Sequence, residues 1–199
     1  RPALDEVVMV FGSRIIRGTR ARKYSEANLE AFDTVNAPLV GEIQQSPRLF
    51  SSALHPWRGR KWPTSRDDWP FGFDSNVALI QLFPGIRPDF VLSAGRQSSG
   101  LVVGAFGAGN IPSSTEDFEN PLGIEAAVAE LVDSGVPVVV TTQCVVGRAE
   151  LPKYEGGMAA REAGTITAND MSMACAFVKL SWLLGNDIRF WPREARRVR

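Results

Sequence analysis

The 199 residues predict an α/β protein: a parallel sheet flanked by helices, preceded by the end of a separate N-terminal α/β domain. Three observations carry this. The runs Val77–Phe83, Leu101–Phe106 and Val136–Thr142 are β-branched and continuously apolar, as strands covered on both faces are. Helical patterns separate and follow them, and alternation of β with α implies parallel pairing. The stretch before Asn76 lacks this rhythm and reads as other structure.

Taken in order, Glu6–Phe11 predicts a buried strand and Ser13–Arg17 a returning one, with Gly12-Ser13 as the turn. Tyr24–Phe32 is a short polar helix or a loop. Asn36-Ala37-Pro38-Leu39 ends that segment, because proline pushes its predecessor out of helical geometry. Pro84-Gly85 turns the chain after the first long strand, and Pro88–Ala94 is a short helix with proline in its first turn. Gly123–Val132 is a helix whose Ile124, Val128, Leu131 and Val132 fall on one face, closed by Ser134-Gly135. Met158–Glu162 is a helical turn. Asp170 is expected to cap a helix running to Leu184, apolar on several sides and so well buried, with Gly185 ending it.

The domain reading follows: 1–43 the end of an N-terminal domain, 44–73 a linker, 74–190 the compact α/β domain, 191–199 a basic solvated tail. The linker assignment rests on Trp57, Trp62 and Trp69 interleaved with Pro47, Pro56, Pro63 and Pro70. Tryptophans beside Arg58, Arg60 and Lys61 read as an interface or, more simply, as anchors pinning an irregular loop.

Composition narrows the function. Twenty-two basic and 22 acidic residues cancel, which argues against direct nucleic-acid contact. No run of about 18 apolar residues predicts a membrane span, and no signal peptide opens the chain. Two cysteines suit a reducing compartment. One histidine, His55, and two distant cysteines do not make a zinc site, and no metal or cofactor is expected.

The polar cluster Thr141-Thr142-Gln143-Cys144 ends an apolar strand, and ligands in α/β sheets sit beyond carboxyl strand ends. Gly107-Ala108-Gly109-Asn110 ends another strand. It lacks the full dinucleotide fingerprint, so an ordinary turn competes with a site in which the Asn110 amide orients a ligand. Cys144 has only Arg148 as a nearby charge, and without a base it reads as an inert thiol or a ligand contact, not a nucleophile. Cys175 reads as packing and Lys153 as solvated. Arg14, Arg17, Arg20, Arg22 and Lys23 form a basic cluster that is a solvated face, or pairs with a carboxylate across a subunit boundary.

An ordered set of segments resembles the bacterial-type L-asparaginase family, nearest its type I, cytoplasmic branch and the related archaeal tRNA-dependent amidotransferase subunit. It comprises Arg17–Lys23 and Asp33–Pro38, then VALIQLFPG from Val77, GAGNIP from Gly107 and Thr142-Gln143-Cys144. Gly147-Arg148, Tyr154, Asp170-Met171 and Lys179-Leu180 complete it. The resemblance implies that family's C-terminal domain and amide hydrolysis of asparagine or glutamine without a cofactor. It also implies a homo-oligomer, dimer or tetramer, in which one subunit's C-terminal domain closes a neighbour's active site. Asn110 matches a supporting residue there, and Thr142 and Cys144 match positions lining an effector pocket for a small amino-acid amide. Gly104 stands where type I enzymes can carry an effector-binding arginine, and Ala174 where a glutamate is usual.

The family's threonine nucleophile lies in a T-G-G-T-type motif, with a second threonine in a T-D-T-type motif and a lysine–aspartate pair. None of these motifs occurs here; Thr19, Thr34, Thr64, Thr115, Thr141, Thr142, Thr165 and Thr167 all lie in other contexts. The resemblance therefore implies the C-terminal part of such a protein, a cleavage product or a separately encoded subunit, with a partner polypeptide carrying the threonine motifs. An ammonia-supplying amidotransferase subunit and a non-catalytic amino-acid-binding module are the alternatives.

Overall fold

A computed structural model describes residues 4–55, 71–113, 123–153 and 155–188. The tryptophan-rich stretch 56–70, Tyr154 and the basic tail lie outside the described residues. The chain divides into two compact units, Arg1–Trp69 and Pro70–Arg199.

The first unit is built on an antiparallel hairpin, β1 (Val8–Phe11) and β2 (Arg14–Arg17), with Phe11 opposite Arg14. Of the two turn residues only Gly12 has positive φ, 58°, which is the sign pattern of a type II′ hairpin. A Cβ on Gly12 would lie 2.9 Å from the Leu29 carbonyl oxygen, so glycine is required for space as well as conformation. The first strand is not buried as the sequence predicts: Val10 is 55% and Phe11 38% exposed. β1 is the edge strand of its four-stranded sheet, while Ile15 and Ile16 on β2 supply the buried side chains.

Short strands β3 (Ala21–Lys23) and β4 (Phe32–Thr34) pair antiparallel. The segment between them is a loop, not a helix; the Ser25 hydroxyl accepts from the amides of Ala27 (3.2 Å) and Asn28 (3.1 Å), a local alternative to helical bonding. Part of the expected linker is also sheet. β6 (Pro47–Leu49) pairs with β5 (Gly41–Ile43), and the Phe50 amide donates to the Val40 carbonyl. Gly41 permits this: a Cβ there would lie 2.3 Å from the Arg48 carbonyl oxygen.

The basic cluster of the hairpin is partly spent within its own chain. Arg14 pairs with Glu30 (2.8 Å) and Asp33 (2.9 Å). Arg17 grips Glu6 in a two-pronged, nearly buried pair and donates to the Ala53 carbonyl at 2.7 Å, tying residues 50–55 to the hairpin. The Arg17 bond is the main reason the Glu6 carboxyl lies below its ordinary range, with the charges of Arg17 and His55 adding to it. A depressed carboxyl stabilises the fold above its unfolded value, near 4.5, and that contribution is lost as pH falls through the folded value. Glu6→Gln is expected to cost about 2 kcal/mol at neutral pH by leaving the guanidinium half-paired. It should also flatten the decline in melting temperature below about pH 4.5; thermal melts from pH 7 to 3 measure both.

The second unit holds the predicted parallel sheet, ordered β10-β9-β8-β7: Ile166–Thr167, Val138–Thr142, Gly100–Ala105 and Val77–Gln81. All three pairings are parallel. From β7 to β10 the order runs in one direction, and right-handed crossovers then put every connecting helix on the same face. That is observed. One core cluster joins Leu101, Val103, Val138 and Val140 to residues of α1 (Pro88–Arg96), α2 (Ile124–Asp133) and α3 (Glu155–Glu162). The alternate side chains, Val77, Val102 and Val139, meet Ala176 and Leu180 of α4 (Met173–Gly185) on the other face. β8 and β9 are buried along their whole length, which is why their sequences run apolar without alternation.

Two expectations for α4 are corrected. Its cap is Ser172, whose hydroxyl accepts from the Cys175 amide at 3.2 Å, not Asp170. The helix is only half-buried: Val178 is 51% exposed, and only Ala176, Leu180 and Ser181 are fully covered. A single helix resting on a sheet buries one stripe, whatever its composition.

Candidate functional site

Ala105 and Thr142 are register partners at the ends of β8 and β9, so the loops that follow these strands emerge side by side at the carboxyl edge of the sheet. After β8 the chain turns back on itself. The Phe106 amide donates to the Asn110 carbonyl (3.0 Å) and the Asn110 amide to the Phe106 carbonyl (2.8 Å). Gly107 and Gly109, at φ 47° and 102°, supply the left-handed conformations such a turn needs. The strand end holds Asn110 half-buried, its side-chain oxygen close to Gly156 in α3. Its side-chain amide has no hydrogen-bond partner among the described residues, so its donors and acceptor remain available to a ligand.

The Thr-Thr-Gln-Cys cluster behaves differently from a ligand-facing row. Thr141 is buried and donates to the Met171 carbonyl at 2.9 Å, joining β9 to the segment before α4. Thr142, also buried, donates to the Gly107 carbonyl and accepts from the Cys144 amide at 3.0 Å. Gln143 folds back over the sheet, its Nε2 donating to the carbonyls of Leu82 (2.6 Å) and Gly104 (2.8 Å). Three of the four polar side chains thus bond to backbone, and only Cys144 is exposed. The cluster fixes the two loops relative to each other. Periodicity shows where a strand ends but not which way its last side chains turn, so the Gln143 clamp has no sequence signal.

Thr142→Val keeps the shape but removes both bonds. It is expected to lower stability by about 1–2 kcal/mol, while Thr142→Ser loses little. Urea unfolding of the two variants beside the parent measures this.

The charged neighbours give Cys144 no base among the described residues. Arg148 pairs with Glu150 at 2.5 Å. That bond, with the charges of Arg148 and Lys153, holds the Glu150 carboxyl below its usual range. Gly104 has Met173 Sδ packed 2.5 Å from where a Cβ would stand. Ala174 is exposed on α4. Among the described residues no three His, Cys, Asp or Glu side chains gather as a metal site, and no helix is long and apolar enough to cross a membrane.

A parallel sheet flanked by helices, with its polar loops gathered at the carboxyl edge, defines an α/β domain. The family follows from comparison with known proteins. Residues 76–194 match the glutaminase/asparaginase C-terminal domain, and residues 1–55 match the N-terminal asparaginase domain. The chain belongs to the glutaminase/asparaginase family.

Among its relatives, an L-asparaginase of Thermococcus kodakarensis is 32% identical over 186 residues, 94% of this chain and 53% of that protein. A glutamyl-tRNA(Gln) amidotransferase subunit of Thermofilum pendens is 31% identical, covering 99% of this chain and 42% of that one. In structure, the thermostable T. kodakarensis L-asparaginase superposes with a TM-score of 0.77 at 30% identity, over 96% of this chain and 54% of that one. L-asparaginase I of Vibrio cholerae gives 0.76 at 26% identity, over 98% and 57%. The chain spans about half the length of the curated relatives it matches.

Proposed function

We propose that this chain is the C-terminal part of an amidohydrolase that converts asparagine or glutamine to the acid and ammonia in the cytoplasm. Its nucleophilic threonine is supplied from outside these 199 residues. The observation that carries the reading is the pairing of a family match along both units with a sequence that contains neither threonine motif. In the assembly a threonine hydroxyl attacks the side-chain amide carbon, ammonia leaves, and water releases the acid from the acyl-enzyme. In this chain, Asn110 is the supporting residue, its side-chain amide having no hydrogen-bond partner among the described residues. Thr142 and Cys144 line an effector position for a small amino-acid amide. Thr142 acts there through the Cys144 amide that it holds, because its own hydroxyl is already bonded.

A second reading has specific support. Several relatives of similar identity are subunits of glutamyl-tRNA(Gln) amidotransferases, so the same chemistry can feed ammonia to a partner enzyme instead of releasing it.

Native mass spectrometry with intact denatured masses, followed by ammonia-release assays on asparagine and glutamine, tests the proposal. We expect activity only in an assembly that also holds the threonine-bearing part, whether on the same polypeptide or on another. Ammonia release by a homogeneous assembly of this chain would overturn the claim that the nucleophile lies elsewhere. Glutamine-dependent release that requires an aminoacyl-tRNA partner would favour the amidotransferase.

A further inference from the structure

Beyond the strand-end loops, the second unit carries a cleft of about 700 Å³ between the segment after β9 and the segment joining α3 to β10. Among the described residues its charged lining is Arg148, Lys153 and Arg161, with the carboxylate of Glu150. Arg148 neutralises Glu150 through their 2.5 Å pair. Neither Lys153 nor Arg161 has an ion-pair partner among the described residues, so the described lining carries an excess of two positive charges at neutral pH. The Glu150 carboxyl is held below its usual range first by the Arg148 bond and charge, with a smaller contribution from Lys153.

The polar wall is fixed. Thr167 donates to the Ala149 carbonyl (3.1 Å) and accepts from the Asn169 amide (3.2 Å). The Ala149 amide donates to the Asn169 carbonyl (2.9 Å) and the Glu150 amide to the Ala108 carbonyl (2.7 Å). The two segments of the wall therefore hold each other in place, and the cations project from a backbone that is already ordered. The volume exceeds what an inorganic ion needs and falls within the range of small-molecule sites, about 300–1,000 Å³. Two unmatched cations on a preformed wall suit oxyanion groups rather than a neutral amide.

We propose that this cleft binds a small organic dianion, through carboxylate or phosphate oxygens, with Lys153 and Arg161 as its principal contacts and the Asn169 side chain as a neutral donor. The site is separate from Asn110, Thr142 and Cys144 and does not depend on the hydrolase reading.

Isothermal titration of the full chain with succinate and with inorganic phosphate, each against sodium chloride at matched ionic strength, tests it. Saturable binding with a dissociation constant in the millimolar range or below, about 4 kcal/mol, is expected for at least one; which one identifies the oxyanion. The exposed pair Lys153→Ala and Arg161→Ala should together weaken binding at least about fivefold, and each alone by a smaller factor. Glu150→Gln should tighten it about two- to threefold by removing the competing carboxylate. Unchanged circular dichroism melts confirm that the variants fold. Absence of saturable binding to both probes, or binding that survives every lysine and arginine substitution, overturns the proposal.

Discussion

Gly156→Ala is expected to destabilise the second unit by about 3 kcal/mol or more, although alanine is intrinsically the better helix former by about 1 kcal/mol. Gly156 lies in the first turn of α3, where a surface glycine would normally be improved by alanine. Here a Cβ would stand 1.8 Å from the Ile111 carbonyl oxygen and 3.3 Å from the Asn110 side-chain oxygen. The first obstacle is backbone and does not rotate aside. The neighbouring Gly157 is similar, with its Cβ position 2.2 Å from the Leu151 carbonyl oxygen. The helix must retreat from the loop after β8, and Asn110 moves with that loop. The prediction has an unusual sign and is therefore discriminating: chemical denaturation should show a loss where helix propensity alone demands a gain. If Asn110 supports amide hydrolysis, the ammonia-release activity of the assembly should fall with Gly156→Ala and with Asn110→Ala alike, while only the former is strongly destabilised. A stabilised Gly156→Ala variant would mean that α3 does not seat against Ile111 as described.

Leu131→Ala is the second large effect. Leu131 is fully buried in the cluster that joins α2 to the sheet, and its terminal carbons occupy the space above Gly95 of α1. A Cβ at Gly95 would lie 2.4 Å from Leu131 Cδ1. Truncation removes the side chain and leaves a cavity, at a cost of about 3–4 kcal/mol. Gly95→Ala alone overpacks the same space and should cost about 1–2 kcal/mol despite the better helix propensity of alanine. The double variant should be more stable than Leu131→Ala, because the new methyl enters the vacated volume. The coupling, about 1–3 kcal/mol, is read from a double-mutant cycle in urea. Strict additivity would show that α1 and α2 do not meet at this pair.

Much of the architecture is legible in the sequence because the signals are local and repeated. The apolar runs at β7, β8 and β9 have no polar face, and a strand of that kind is stable only between two layers. The spacing of Ile124, Val128, Leu131 and Val132 marks one face of α2. The order of motifs from Val77 to Leu180 points to the family without any knowledge of the fold. Where expectation and structure part, competing local signals carry no information about neighbours. The apolar strand at Val8–Phe11 is half-buried at Val8 and Met9 and exposed at Val10 and Phe11, because no layer among the described residues covers those two side chains. β6 is hidden by Pro47, which a strand tolerates at its first position. The apolar residues around α4 suggest burial on all sides, but the sheet offers one face only.

The sequence by itself determined the fold class, the family and the segments that meet at the carboxyl edge of the sheet, because each is written in patterns of a few adjacent residues. Only the tertiary structure decided what those residues do once there. Thr141, Thr142 and Gln143 are committed to backbone carbonyls contributed by residues far away in the chain, whereas the Asn110 side chain has no such partner among the described residues. Gly156 is needed by the Ile111 carbonyl, far before it in the chain, and Lys153 and Arg161 share a cleft with Arg148. Hydrogen-bond direction and close backbone approach depend on partners brought near by folding, and no one-dimensional pattern encodes which atom will be opposite.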